Sequence, residues 1–111
     1  MNPQSIISEF RSLESQGLVR LRAQSEQENY FDVYGEFYPD ARERQEIIET
    51  IERTGCWCVI SEFFSDGRWH WCDSVGFCTG YENPMNPKEN DHVLDLMRLA
   101  IRAAESNSVA I

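Results

Sequence analysis

One stretch of the chain, residues 56–78, constrains the fold more than any other. It reads CWCVISEFFSDGRWHWCDSVGFC and contains all three tryptophans and all four cysteines. Two runs rich in aromatic and β-branched residues flank Asp66-Gly67, a dipeptide that readily adopts the positive φ angles of a two-residue hairpin turn. The stretch therefore predicts a β-hairpin that turns at Asp66-Gly67.

The two-residue turn also predicts the register of this hairpin. Ser65 should pair with Arg68, and Ser61 with Cys72. Because side chains alternate along a strand, residues two apart share a face. This register brings together two pairs of chemically capable side chains, Glu62 with Asp73 and His70 with Cys72.

Hydrophobic spacing predicts a helix and two strands in the first part of the chain. Apolar residues at helical spacing after Pro3 predict a helix over 3–16. Alternation predicts a short strand over 18–23, and the polar run that follows predicts a turn over 24–29. The aromatic-rich run 31–38 predicts a second strand.

The second part of the chain repeats this order. Asp40 and Glu43 match a capping box for a second helix, and Gly55 is typical of its end. The hairpin and a loop at 81–86 follow. Asn86-Pro87 is typical of the cap and first position of a last helix.

The resulting order, α-ββ-α-ββ-α, predicts an α+β fold. A chain of 111 residues is typical of one domain with one core, so residues 1–111 are interpreted as a single domain. We expect a four-stranded antiparallel sheet with the helices packed on one face. The two hairpins could instead form separate sheets, and the sequence leaves that alternative open.

The net charge of −9 is unevenly distributed along the chain. Residues 26–62 carry ten acidic residues against three arginines. Such a field repels the phosphate backbone of nucleic acids and speeds encounter with a basic protein. The charge therefore argues against direct nucleic-acid binding and favours a basic protein as partner. The alternative is that the acidity serves solubility alone.

The chain shows no targeting or membrane-spanning pattern. Its first residues, MNPQSIISEF, lack the basic region and long apolar core of a secretory signal. No apolar run reaches the roughly 20 residues that a membrane span requires. We therefore expect a cytoplasmic protein without a membrane partner, whose cysteines are reduced.

Three groupings of reactive residues are candidates for chemical sites. Cys56-x-Cys58 within a strand does not match the spacing of zinc knuckles, even with Cys78 and His92 as further ligands, so free thiols that pack as small hydrophobes are expected. The pair of His70 and Cys72 lacks the electropositive surroundings that activate a thiol. No metal and no cofactor are predicted.

The third grouping is the pair of Glu62 and Asp73 on the apolar face of the hairpin. Two buried carboxylates side by side are one mark of acid–base chemistry. Three structural explanations do not involve catalysis: an arginine partner (Arg68 or Arg98), a bulge that turns the carboxylates outward, or an exposed edge of the sheet. These structural explanations are favoured, and no catalytic residue is assigned.

The acidic segment supplies the predicted partner-binding surface. In the second helix an acid at every third residue forms a stripe beside the apolar face, and nearby tyrosines could act as anchors. Trp57, Tyr30 and Tyr81 are expected to leave further rings exposed beside it. The residues assigned to partner binding are Glu26, Glu28, Asp32, Tyr34, Glu36, Tyr38, Glu43, Glu46, Glu49 and Glu52.

Small acidic proteins without a catalytic motif are similar in class to inhibitors, immunity proteins and anti-defence proteins of phages and mobile elements. We therefore expect a non-enzymatic module that occludes a basic surface of a partner, for which a nucleic-acid-binding protein is one candidate. Two alternatives remain open. One is a small enzyme or ligand-binding domain with its pocket between the hairpin of residues 56–78 and the last helix, and the other is a homodimeric structural protein.

Overall fold

The computed structural model describes residues 2–26 and 40–109 and confirms an α+β fold. In chain order, the elements of these residues are α1 (Pro3–Ser15), β1 (Val19–Ser25), α2 (Ala41–Thr54), β2 (Cys56–Ser65), β3 (Arg68–Thr79) and α3 (His92–Val109). The three strands form one antiparallel sheet in the order β1-β2-β3. The predicted strand at 31–38 lies outside the described residues, so a four-stranded sheet stays a prediction.

The hairpin of β2 and β3 turns where the sequence predicts. Asp66 and Gly67 both have positive φ angles, 55° and 76°, and Ser65 pairs with Arg68. The predicted register is wrong further along, because Ser61 pairs with Asp73 instead of Cys72. A β-bulge between Glu62 and Ser61 inserts one extra residue in β3, and this shifts the pairs from Ser61 to Val59 by one.

A second bulge lies nearer the base of the hairpin. Val59 pairs with Val75, but Trp57 pairs with Cys78, so β3 again has one residue more than β2 between these pairs. Together the two bulges bend β3 and extend it through Thr79, beyond the predicted end of the strand. Bulges increase the local twist of a strand pair.

The main core fills one face of the sheet. Helices α1 and α3 supply Phe10, Val93 and Met97, which are buried against Val19 of β1 and Val59 of β2. Burial of large apolar side chains of this kind contributes about 1.5–3 kcal/mol each. The predicted helical periodicity of the first and last helices therefore positions them correctly on one side of the sheet.

The second helix does not join this core. Asp40 caps its start by accepting hydrogen bonds from the backbone of Arg42 and Glu43 at 2.8 and 3.2 Å, as the sequence predicts. Its buried residue, Ile51, forms a separate small cluster with Cys56. Alternation places Cys56 on the opposite face of β2 from the main core, so the prediction that all helices share one face is wrong for α2.

The last helix begins later than predicted. Asn86-Pro87 opens a turn, in which the Asn86 carbonyl accepts from the backbone N–H of Asn90 at 2.9 Å. Asn90 is fully buried, and its side-chain oxygen accepts from the backbone N–H of His92 at 3.2 Å. The buried Asn90 thus takes the capping role that the sequence assigns to Asn86. No helix of the described part is both long and apolar enough to span a bilayer.

Candidate functional site

The second helix presents its acidic residues to solvent. Ile51 marks its buried side. In a helix of 3.6 residues per turn, each acid is offset by about 60° around the helix axis from the acid three residues before it. Four such acids therefore span about half of the helix circumference. We call this exposed set the acidic half of α2, and it consists of Glu43, Glu46, Glu49 and Glu52.

Weak surface contacts restrain two of these carboxylates. Glu46 lies 3.5 Å from Nε of Arg42, and both side chains are largely exposed. Glu49 accepts a hydrogen bond of 3.3 Å from the side chain of Gln45. Exposed contacts of this kind contribute at most about 1 kcal/mol. A partner could therefore displace them at little cost.

Glu26 lies in a different environment from these glutamates. It follows β1 and is half-buried, and its carboxylate accepts a hydrogen bond of 2.8 Å from the backbone N–H of Phe77. This carboxylate, predicted to bind a partner, is instead engaged within the sheet. The other residues assigned to partner binding lie outside the described residues: Glu28, Asp32, Tyr34, Glu36 and Tyr38.

Two of the aromatic residues expected beside the acidic stripe, Trp57 and Tyr81, are packed rather than exposed. Trp57 and Tyr81 are half-buried and contact the main core, and the indole N–H of Trp57 donates to the carbonyl of Thr54 at 3.2 Å. Tyr30 lies outside the described residues. Among the described residues, the most exposed ring is instead that of Trp71, with 62% of its surface accessible.

Trp71 belongs to a surface that the sequence reasoning did not identify as a site. It pairs with Glu62, which pairs in turn with Arg20 of β1, so these side chains share the face turned away from the main core. The signal was present in the alternation of both strands. We call this surface the arginine–tryptophan face, and it consists of Arg20, Arg22, Glu62, Phe64, Trp69 and Trp71.

Glu62 holds the two arginines of this face together. Its Oε1 accepts from Nε of Arg20 at 2.9 Å and from Nε of Arg22 at 2.8 Å, and only 9% of its side chain is accessible. Burial pushes the pKa of Glu62 upward, but the hydrogen bonds and charges of the two arginines outweigh burial and lower that pKa below its ordinary value. Glu62 is therefore an ionised carboxylate at neutral pH.

The two pairs of reactive residues predicted on the hairpin are not assembled. The bulge moves Asp73 opposite Ser61, out of line with Glu62, and its carboxylate accepts from the backbone N–H of Ser74 at 2.8 Å. The His70 ring stacks on Phe63 with 5.1 Å between ring centres. An arginine does partner Glu62, but it is Arg20 together with Arg22, so the prediction of Arg68 or Arg98 as the partner is wrong; Arg98 pairs with Asp95 instead.

The four cysteines are free, and their environments do not favour thiolates. Burial, followed by the charge of Glu26, raises the pKa of Cys56 to about 11. Burial also comes first among the causes that raise the pKa values of Cys58, Cys72 and Cys78. No group of three or more His, Cys, Asp or Glu side chains in residues 2–26 and 40–109 could hold a metal ion.

Buried side chains lie between the hairpin and the last helix. Val59, Val93 and Met97 have no accessible surface there, and the alternative of a pocket between these elements stays a prediction. A cleft does lie elsewhere, between α1, β1 and the loop after β3. It is lined by Arg11, Glu14, Leu21, Asn83, Met85 and Asn86, and its arginine and glutamate pair with each other at 2.9 Å.

We compared the chain with protein-family models, with curated proteins and with solved structures, and none of the three comparisons finds a match.

Proposed function

We propose that this protein is a non-enzymatic docking module whose acidic half of α2 covers a basic surface of a partner protein. It would act as inhibitors, immunity proteins and anti-defence proteins do, by occlusion rather than by chemistry. The observation that carries this proposal is the exposure of all four glutamates of the acidic half, while the apolar side of the same helix packs on the protein through Ile51.

Electrostatics explains how such a helix would work. An array of carboxylates on one surface steers a cationic partner and increases the association rate, and this effect weakens as salt screens the charges. A helix of 14 residues is about 21 Å long. One face of a helix of this length covers less area than the about 800 Å² per partner of a typical interface. The predicted contacts at Glu28, Asp32, Tyr34, Glu36 and Tyr38 would therefore extend the surface.

Charge reversal on α2 tests the proposal. Glu49→Lys with Glu52→Lys removes two exposed acids and leaves the contact between Arg42 and Glu46 in place. A matched control reverses Glu82 and Glu105, two exposed acids elsewhere, neither of them at a helix N-terminus. Both variants should unfold at nearly the same denaturant concentration as the wild type, because surface substitutions usually change stability by less than about 0.5 kcal/mol.

The measurement is association with a basic protein that the wild type captures from the native host and that is then purified. We expect a complex of fixed stoichiometry whose affinity falls as the salt concentration rises. The α2 variant should bind at least tenfold more weakly than the wild type, and the control should bind within about threefold of the wild type. Equal affinities for the two variants would contradict the proposal, as would failure of the purified protein to form the complex.

A further inference from the structure

Among the ion pairs of the described residues, those of the arginine–tryptophan face differ in their balance of charge. Elsewhere an ion-paired arginine meets a carboxylate of its own, as Arg11 does with Glu14 and Arg98 with Asp95. Here Arg20 and Arg22 share the single carboxylate of Glu62. The cluster therefore keeps a surplus of one positive charge on a chain whose net charge is −9.

The two guanidinium groups are held in place and remain accessible. Each donates through Nε to Oε1 of Glu62, and a guanidinium carries five N–H donors in a rigid fork. The side chains of Arg20 and Arg22 are 40% and 46% accessible. Since Glu62 takes the Nε donor of each, their terminal N–H groups can bind an oxyanion from solvent.

Aromatic rings complete the same surface. The guanidinium carbon of Arg20 lies 4.2 Å from the centre of the Trp69 ring, which fixes the arginine from a second side through a cation–π contact. Phe64 meets Trp69 edge to face at 5.3 Å between centres and remains 39% accessible. Trp71, across from Glu62, is more exposed than either. A flat apolar group could stack on Trp71 beside the arginines.

Stability alone does not call for this arrangement. A carboxylate taken out of water loses hydration, and apolar residues of similar volume often stabilise a fold as well as a buried ion cluster does. An exposed tryptophan at 62% adds nothing to the core. Exposed aromatic and arginine side chains together are the residues most enriched in the energetic centres of protein interfaces.

We propose that the arginine–tryptophan face is a second docking site, which binds a protein segment carrying a carboxylate side chain next to an aromatic one. The carboxylate would bind the terminal N–H groups of Arg20 and Arg22, and the ring would stack on Trp71. Charge complementarity favours this occupant. A single carboxylate matches the surplus of one positive charge, whereas a polyanion such as a nucleic acid would meet the repulsion of a chain with a net charge of −9.

This site is separate from the acidic half of α2. Helix α2 reaches the sheet at Cys56, and Glu62 lies six residues further along β2, a distance of about 20 Å in an extended strand. The proposal therefore does not depend on the function assigned to α2. The Glu49→Lys, Glu52→Lys variant should keep its affinity for the second site within about twofold.

The test is a titration of the full chain with a pair of peptides, Phe-Glu-Phe and Phe-Gln-Phe, both with blocked ends. We expect the glutamate peptide to bind with a Kd on the order of 1 mM and to shift the NMR signal of the Trp71 indole N–H. The glutamine peptide should bind at least fivefold more weakly, because the charge-assisted hydrogen bonds to the arginines are lost. Equal affinities, or no binding of the glutamate peptide, would overturn the proposal.

Variants locate the binding site. Trp71→Ala and Arg22→Gln should each weaken the glutamate peptide at least fivefold, and Arg98→Gln, which removes an arginine from a separate ion pair, should leave its affinity within about twofold. In the wild type, peptide binding should reduce acrylamide quenching of the total tryptophan fluorescence, because Trp71 is the most exposed of the three tryptophans, and this readout needs no variant to fold. Unchanged binding by Trp71→Ala would overturn the proposal. Tighter binding of inorganic phosphate or of an oligothymidine would do so too, since it would indicate an anion or nucleic-acid site.

Discussion

The carboxylate of Glu26 accepts a hydrogen bond of 2.8 Å from the backbone N–H of Phe77, although Glu26 directly follows β1 and Phe77 lies in β3, on the opposite side of the described sheet. Phe77 has a φ of 57° and lies in the second bulge of β3. The preceding residue is glycine, and a methyl group at Gly76 would lie 3.1 Å from Oε1 of Glu26, which is tighter than an ordinary contact. The bulge and the glycine together make room for this carboxylate.

We predict that Glu26→Ala lowers the free energy of unfolding by about 1 kcal/mol, because a hydrogen bond to a charged acceptor is lost at a site partly open to solvent. Glu26→Gln keeps an acceptor oxygen and should lose less. Urea unfolding measures both changes. Gln24→Ala, at an exposed neighbouring position of β1, is the matched control, and a loss for Glu26→Ala no larger than that of the control would contradict the prediction.

A second prediction concerns the pH dependence of the Glu62 cluster. Arg20 and Arg22 lower the pKa of Glu62 in the folded protein against the opposing effect of burial. The ionised form therefore stabilises the fold above the ordinary pKa of 4.5, and this stabilisation is lost as the pH falls through the lower, folded-state value. Glu62→Gln should cost about 1–2 kcal/mol at pH 7.

The difference between wild type and Glu62→Gln should shrink as the pH falls below about 4.5, the ordinary pKa. Urea unfolding at several pH values measures it. Glu14→Gln, which breaks an exposed pair with Arg11, should cost less than about 0.5 kcal/mol at pH 7. A cost for Glu62→Gln that stays constant from pH 7 to pH 3 would show that the loss is one of packing and not of charge.

The local signals of this sequence predicted the elements well, because each depends on a few adjacent residues. Asp66-Gly67 predicted the hairpin turn through its positive φ angles, and Asp40 predicted the cap of α2 through its short acceptor side chain. The sequence does not predict the start of the last helix. The cap, Asn90, is buried, and its side-chain N–H donates to the Pro84 carbonyl at 2.9 Å. This contact depends on residues that meet only in the folded chain.

The candidate site was harder to predict for a related reason. A bulge is set by the fit of two strands to the surrounding structure rather than by a local motif, so the partner of Asp73 could not be derived from spacing. The pairing of β1 with β2 likewise joins residues about 40 apart in the chain. Without that pairing, the alternating Arg20 and Arg22 look like solvent-facing charges, and their shared carboxylate, Glu62, looks unpartnered.

A third prediction concerns the thiols. Because burial raises the pKa values of Cys58 and Cys72, less thiolate is present at neutral pH than in a free cysteine, and the thiolate is the species that alkylates. We expect both half-exposed cysteines to react with iodoacetamide at pH 7.5 at least about tenfold more slowly than glutathione. Peptide mapping by mass spectrometry would measure each rate, and a rate at either cysteine that levels off by pH 8 would contradict the raised pKa.

A last prediction concerns two acids that meet where α1 packs on α3. The hydrogen bond to Glu105, with smaller effects of burial and of the Glu105 charge, raises the pKa of Glu9 above its ordinary value of 4.5. A raised folded-state pKa means that ionisation of Glu9 opposes folding, so this penalty is absent well below pH 4.5 and complete once the pH exceeds the folded-state value. The two helices are therefore held together slightly less well at neutral pH than in mild acid.

Glu9→Gln should consequently raise the melting temperature at pH 7 and leave it unchanged relative to wild type near pH 3.5. The gain will be small, roughly 0.3 kcal/mol, because solvent screens exposed charges. Glu105→Gln should give a similar gain, since an amide at either position can donate the hydrogen bond that two ionised carboxylates cannot form. Glu14→Gln on the same helix removes an attractive contact with Arg11 at 2.9 Å and should give no gain. Thermal unfolding followed by circular dichroism at both pH values measures these shifts, and an equal effect of Glu9→Gln at the two pH values would exclude charge as its cause.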